Sequence, residues 1–297
     1  MKTGFIGLGA MGRPMALNLL RADVPLVVHD IDRARVGELT AAGAGAAASA
    51  RDVAAAANRT ICMVETTEQA EDVITGPDGI MQGAGAGHLV LCMSTIDPDA
   101  ALAMAARLAE RRITMLDAPV SGGTGRAEAG DLTVIVGGSE RDFEDCRDIF
   151  DAIGRTAFHV GPSGQGLVMK LVNNMLGITN TITLIEGLAI GAKSGLDLET
   201  MYRVIRESSG QSAAADLRIP RIINDDFAPG GTVDIVYKDQ ELITAHAKRI
   251  GVPVFMANVS QQVYQMARAA GLNKLDSSAV VRIYERLAGV DIVGRPG

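Results

Sequence analysis

Gly4-Phe5-Ile6-Gly7-Leu8-Gly9-Ala10-Met11-Gly12 is the stretch that decides the fold. A short apolar strand runs into a GxGxxG turn, and the helix-compatible Pro14–Leu20 follows. Three spaced glycines alone are a weak signal. The strand before them and the helix after them supply the context that a dinucleotide-binding turn needs. Gly7 permits the tight turn, Gly9 lets the backbone approach a pyrophosphate, and Gly12 lets the helix pack closely on the strand. The helix N-terminus then faces the phosphate charge. The competing reading is a glycine-rich turn in some other α/β protein.

Asp30 ends the next strand, 18 residues past Gly12. An acid there accepts hydrogen bonds from ribose hydroxyls and repels a 2′-phosphate, which favours NAD over NADP. Arg33 nearby could pair with a 2′-phosphate, so NADP stays open as the alternative.

Working outward, the first half alternates short apolar runs with helical patterns. Strands are expected at Gly4–Gly7, Leu26–His29, Thr60–Val64, Leu89–Met93, Thr114–Ala118 and Leu132–Val136. That alternation is the sequence form of a doubly wound parallel sheet. The Ala/Gly run Ala41–Ala50 reads as a tight turn and a small strand. From Gly164 to Ser194 a long apolar stretch without proline predicts one helix of roughly 45 Å. Beyond it the strand signal stops. Leu198–Glu207, Ala213–Ile223, Val236–Ile250, Val254–Ala270 and Ser277–Leu287 read as helices. The expected organisation is a dinucleotide-binding domain over 1–162, an interdomain helix over 163–193 and an all-α substrate and oligomerisation domain over 194–297.

Composition narrows the function classes. The 297 residues are 47% hydrophobic and 21% charged, with no Trp and 3% aromatics. A net charge of −7 and few stacking surfaces argue against nucleic-acid binding. Cys62, Cys92 and Cys146 are widely spaced and read as buried thiols rather than a disulfide framework. The four histidines lack metal-ligand spacing, so no metal site is expected. Met1–Phe5 opens directly into a strand, without a signal-peptide pattern. No stretch of about 20 uninterrupted apolar residues suggests a membrane span. The expected location is the cytoplasm.

Three further segments carry chemistry. Asp117-Ala118-Pro119-Val120-Ser121-Gly122-Gly123 follows a strand. Pro119 is expected to end regular pairing, and the Ser-Gly-Gly turn can aim several N–H groups at one anion such as a carboxylate. An ordinary loop is the alternative. Lys170 lies among apolar residues early in the long helix, with Asn174 at i+4 on the same face. A desolvated lysine titrates nearer neutral pH and can exchange a proton with a hydroxyl. A lysine that snorkels out of a helix interface is the competing reading. Lys238-Asp239 either closes over a substrate carboxylate or is a helix-surface charge.

Taken together, these segments resemble the β-hydroxyacid dehydrogenases, the group of 3-hydroxyisobutyrate dehydrogenase, tartronate semialdehyde reductase and L-threonate dehydrogenase. The resemblance runs nearly end to end. It rests on the cofactor turn, Ser94-Thr95-Ile96-Asp97-Pro98, Asp117–Gly123, Gly164-Gln165-Gly166 leading to Lys170 and Asn174, and Lys238-Asp239. It implies an N-terminal Rossmann domain like that of 6-phosphogluconate dehydrogenase, joined by a long helix to an all-α domain. It also implies a homodimer or homotetramer and a small hydroxy-acid substrate.

The resemblance assigns roles as well. Lys170 is the general acid/base and Asn174 orients lysine and substrate. Ser121, Gly122 and Gly123 bind the carboxylate, and Lys238 lies over the site. Cofactor contacts come from Gly7, Leu8, Gly9, Ala10, Met11, Gly12, Asp30, Ile31, Val64, Thr95 and Lys238. Two departures stand out. Met63-Val64-Glu65-Thr66 replaces the Leu-Pro-Asn or Leu-Pro-Asp turn of many relatives and brings the charge of Glu65 toward the cofactor ribose or the pocket. Gly230-Gly231 replaces their Gly-Phe. The expected reaction is hydride transfer between NAD and a small 3-hydroxy acid. A semialdehyde reductase or a threonate-type dehydrogenase are alternatives within the family. An imine reductase of the same fold would usually lack the lysine. A non-catalytic nucleotide sensor is the alternative from another class.

Overall fold

The computed structural model describes residues 1–293, so the last four residues of the expected 194–297 segment lie outside it. The chain divides into two compact units, Met1–Lys170 and Leu171–Gly297. The boundary falls inside one long helix, Gln165–Lys193.

Nine strands form the sheet of the first unit: β1 (Thr3–Ile6), β2 (Leu26–His29), β3 (Gly45–Ala46), β4 (Arg59–Cys62), β5 (Leu89–Cys92), β6 (Thr114–Asp117), β7 (Val120–Ser121), β8 (Leu132–Gly137) and β9 (Gly154–Gly161). The order β3-β2-β1-β4-β5-β6 is parallel throughout, and the order reverses between β1 and β4. Such a reversal leaves a crevice at the carboxyl ends of the strands, where dinucleotides bind. Strands covered on both faces read as unbroken apolar runs. Accordingly Phe5, Val28, Ile61 and Leu91 pack on one face with Met15, Leu19 and Phe150. Their neighbours Ile6, Val27, Cys62 and Val90 pack on the other with Val53, Ile74 and Met104. All three cysteines are buried free thiols.

The six expected strands are present, with ends shifted by at most two residues, and Gly45–Ala46 is the small strand of the Ala/Gly run. Pairing does not end at Pro119. Val120 and Ser121 pair antiparallel with Val134 and Thr133, and the Pro119 carbonyl accepts from the Ile135 N–H. Proline lacks only its own donor, so a strand can resume directly after it. Strand β9, which pairs with β8, was not expected.

The second unit is helical among its described residues. Helices Leu198–Arg206, Ala213–Ile223, Val233–Arg249, Phe255–Ala269 and Val281–Ala288, with a 3₁₀ turn Ser277–Val280, gather around Ile178, Ile182, Ile185 and Leu188 of the long helix. By length and composition alone the long helix is apolar enough to cross a membrane, although Lys170, Asn173, Asn174 and Glu186 interrupt its apolar run. Its buried residues face protein: Leu167 packs in the core of the first unit and Leu171, Ile178, Ile182, Ile185 and Leu188 in that of the second.

Candidate active site

The glycine turn joins β1 to α1 (Gly12–Arg21). Gly7 has φ +92°, a left-handed conformation that glycine adopts without strain. A Cβ on Gly7 would stand 2.1 Å from the Met63 carbonyl oxygen, and one on Gly12 would stand 1.9 Å from that of Gly7. Both positions therefore exclude any side chain. Gly9 differs, because a Cβ there would meet only the Arg35 guanidinium, at 3.8 Å. The middle glycine thus faces open space. No side chain caps the N-terminus of α1, and its first turn has no acid. An open glycine followed by an uncapped helix start fits a dinucleotide pyrophosphate.

Asp30 braces this turn from β2. Its Oδ2 accepts from the Leu8 N–H at 2.6 Å and its Oδ1 from the Asp32 N–H at 2.8 Å. Ile31, between them, is 95% exposed. Asp32 caps α2 (Arg33–Ala41) through the Ala34 N–H. The arginine beside Asp30 is Arg35, not Arg33. Its Nη1 lies 3.9 Å from Asp30 Oδ2 and its Nε 3.3 Å from Asp32 Oδ2.

On the other side of Gly7, the turn after β4 is tied to the turn after β5. Ser94 Oγ accepts from the Val64 N–H at 2.8 Å, and Thr67 Oγ1 accepts from the Asp97 N–H at 3.1 Å. Val64 and the half-buried Thr95 thereby hold fixed places along the strand ends, and a Cβ on Gly7 would lie 3.2 Å from Val64 Cγ1. Glu65 is exposed, and its N–H goes to the Gln69 side chain.

Ser121 ends β7, and Gly122 (φ +143°) and Gly123 (φ +71°) turn the chain into a short helix, Gly123–Glu128. Both φ values are positive, a backbone conformation that glycine adopts without strain. A Cβ on Gly122 would collide with Arg126 and Leu132, at 2.9 and 3.0 Å.

Sequence reasoning overlooked the residue that places Lys170. Asp117, at the end of β6, is buried, and its two oxygens accept from the N–H groups of Gly164 at 2.7 Å and Leu167 at 2.9 Å. Burial raises the Asp117 carboxyl above the ordinary carboxylate range, and these backbone N–H groups oppose the rise. Gly137 and Gly166 let the helix start press onto the sheet: a Cβ on Gly166 would lie 2.5 Å from the Asp117 carbonyl oxygen. One turn further along, Lys170 is 7% exposed. Asp117 is recognisable beforehand only as a member of its motif.

In the second unit, Asn174 Nδ2 donates to Asp239 Oδ2 at 2.8 Å, and Lys238 Nζ lies 3.0 Å from Asp239 Oδ1. The structure brings Asn174 and Lys238 together through Asp239, a buried carboxylate to which the sequence reading gave no role. Gly231 has open space where a side chain would stand, and its N–H goes to the buried Asp276 carboxylate at 3.1 Å. Among the described residues, no three His, Cys, Asp or Glu side chains form a metal-holding group.

Comparison with known proteins decides the family. Residues 2–161 match the model for the NAD binding domain of 6-phosphogluconate dehydrogenase. Residues 164–284 match that for the NAD-binding region of NADP-dependent 3-hydroxyisobutyrate dehydrogenase. The chain is 40% identical to 2-(hydroxymethyl)glutarate dehydrogenase of Eubacterium barkeri, over 99% of this chain and 98% of that protein. The chain belongs to the β-hydroxyacid dehydrogenase family. It is also 37% identical to the NAD-dependent L-serine dehydrogenase of Pseudomonas aeruginosa, over 96% of this chain and 98% of that one. Among solved structures, 3-hydroxyisobutyrate dehydrogenase of Mycobacterium tuberculosis with L-serine aligns with a TM-score of 0.88 and 28% identity. That alignment covers 95% of this chain and 98% of the other. The protein is an NAD(P)-dependent oxidoreductase of the hydroxyacid dehydrogenase type.

Proposed function

We propose that this dehydrogenase acts with NAD on a small 3-hydroxy acid whose hydroxymethyl group sits on the carbon next to the carboxylate. 3-Hydroxyisobutyrate, L-serine and 2-(hydroxymethyl)glutarate, named for three of its relatives, share that unit. When bound, NAD supplies the nicotinamide ring that accepts the hydride. The protein's residues handle the proton and the geometry. Neutral Lys170 takes the proton of the hydroxyl group in the oxidation direction and returns it in reduction. The N–H groups of the Ser121–Gly123 turn hold the carboxylate, fixing which carbon faces the ring. Asn174 orients substrate and lysine, Lys238 covers the carboxylate, and Val64 and Thr95 line the cofactor. Asp30, beside the turn, favours NAD over NADP.

The burial of Lys170 just beyond a helix start fixed by Asp117 carries this reading. A lysine that merely snorkelled would have its ammonium in water. The test is a panel of C3–C5 hydroxy acids and semialdehydes, assayed by NADH absorbance with both cofactors, on the native protein and Lys170→Ala. The variant is expected to lose turnover by orders of magnitude while still binding NADH. Near-native turnover removes Lys170 from the mechanism.

The same reading takes residues 1–162 as the cofactor domain, 163–193 as the connecting helix and 194–297 as the substrate and oligomerisation part. Ile190, Phe255, Met256 and Val259 expose apolar surface in the second unit, which supports a homodimer or homotetramer, and its proposed location is the cytoplasm. Light scattering of the purified protein reports the assembly.

A further inference from the structure

We infer that Asp32 and Arg35 form a second cofactor selector beside Asp30, in which Asp32 keeps Arg35 from serving a 2′-phosphate. This rests on the proposed preference for NAD and deepens it. Asp30 is a poor place to change the choice of cofactor. Both its oxygens already hold backbone N–H groups, those of Leu8 and Asp32, and it is buried beneath the glycine turn. Asp32 and Arg35 are half exposed and stand at the rim. The Arg35 guanidinium spans three features. It lies 3.3 Å from Asp32, 3.9 Å from Asp30 and 3.8 Å from the position a Cβ would take on Gly9, where the pyrophosphate passes.

Charge explains how the arrangement selects. Asp32 and Asp30 both pair with Arg35, and the neighbouring Arg13 is engaged by Glu38. A 2′-phosphate brought to this rim meets two carboxylates, with its nearest guanidinium already paired to both. A 2′-hydroxyl meets a carboxylate that can accept from it. Removing the charge of Asp32 leaves the rim one unit more positive and deprives Arg35 of its 3.3 Å partner. A guanidinium so released can grip a phosphate through two parallel N–H bonds.

Asp32→Asn keeps an oxygen to cap α2 and removes only the charge. Dissociation constants of NAD⁺ and NADP⁺ are measured by titration calorimetry on the native protein, Asp32→Asn, Arg35→Gln and the double variant, with kcat/KM for both cofactors alongside. Asp32→Asn is expected to tighten NADP⁺ by about tenfold or more and to change NAD⁺ by no more than about threefold. The double variant is expected to lose that gain. Unchanged NADP⁺ affinity in Asp32→Asn overturns the inference, as does a gain that survives without Arg35. A native protein that binds NADP⁺ more tightly than NAD⁺ overturns the NAD preference instead. The comparison of single and double variants still decides the part played by Arg35.

Discussion

Asp117 grips the backbone N–H of Leu167 at 2.9 Å, three residues before Lys170. The carboxylate ends β6, so it ties the start of a 29-residue helix to the carboxyl end of a buried strand. A lysine on a surface helix would wander by its own long stem. Here the backbone beneath it is fixed by two hydrogen bonds from one buried side chain.

Asp117→Asn tests this placement. The amide keeps the shape but turns an NH₂ toward one of two N–H donors, leaving a buried donor facing a donor. The helix start must shift, and a displacement of about 1 Å at a reacting group costs roughly a hundredfold in rate. The expected result is a fall in kcat of that order, with little change in the NADH dissociation constant. A Tm loss with unchanged kcat would reduce Asp117 to a structural anchor.

The three glycines of the turn separate fold from binding. Gly12→Ala places a methyl group 1.9 Å from the Gly7 carbonyl oxygen, so α1 must lift from β1. The expected outcome is a marked drop in Tm together with loss of cofactor binding. Gly9→Ala meets nothing closer than Arg35 at 3.8 Å, so Tm should hold while NADH affinity falls, because the methyl group occupies the path of the pyrophosphate. Thermal unfolding and NADH titration of the two variants check the contrast.

What the sequence made legible follows the same physics. The central strands were readable because burial on both faces makes each an unbroken apolar run, as in Leu89–Cys92. Strand β9 was not, since it lies at the sheet edge, is mostly exposed and carries polar Arg155, Thr156 and His159 among its apolar residues. Val120–Ser121 was hidden by the proline before it. The motif residues of the site were visible as types, but their partners were not. Asp117 meets Gly164 and Leu167 about fifty positions away, and Asn174 meets Asp239 across 65. Arg35 displaced Arg33 because Asp32 caps α2, and the helix turn then sets which arginine swings back over Gly9.

The Asn174–Asp239 contact predicts energetic coupling. Groups joined by one hydrogen bond at 2.8 Å give non-additive effects when both are removed. Asn174→Ala and Asp239→Ala should each lower kcat/KM, and the double variant should lose clearly less than the product of the two losses. Additive losses would show that the residues act separately.

Acid stability depends on a residue away from the site. His88 is buried beneath the sheet, with Nε2 2.9 Å from Thr60 Oγ1. Burial, opposed by a hydrogen bond involving Ala57, holds its pKa down to about 4, against 6.5 for an exposed imidazole. The folded chain therefore favours the neutral ring, and the unfolded chain binds the proton more readily. The stability from this difference is whole above pH 6.5 and is lost as pH falls from there toward 4. It amounts to roughly 3 kcal/mol at most. Urea unfolding across that window should show a falling midpoint in the native protein. His88→Gln can still bond Thr60 but cannot titrate, so its midpoint should fall less steeply over the same range. Equal slopes in the two proteins would assign the acid sensitivity to the carboxylates instead.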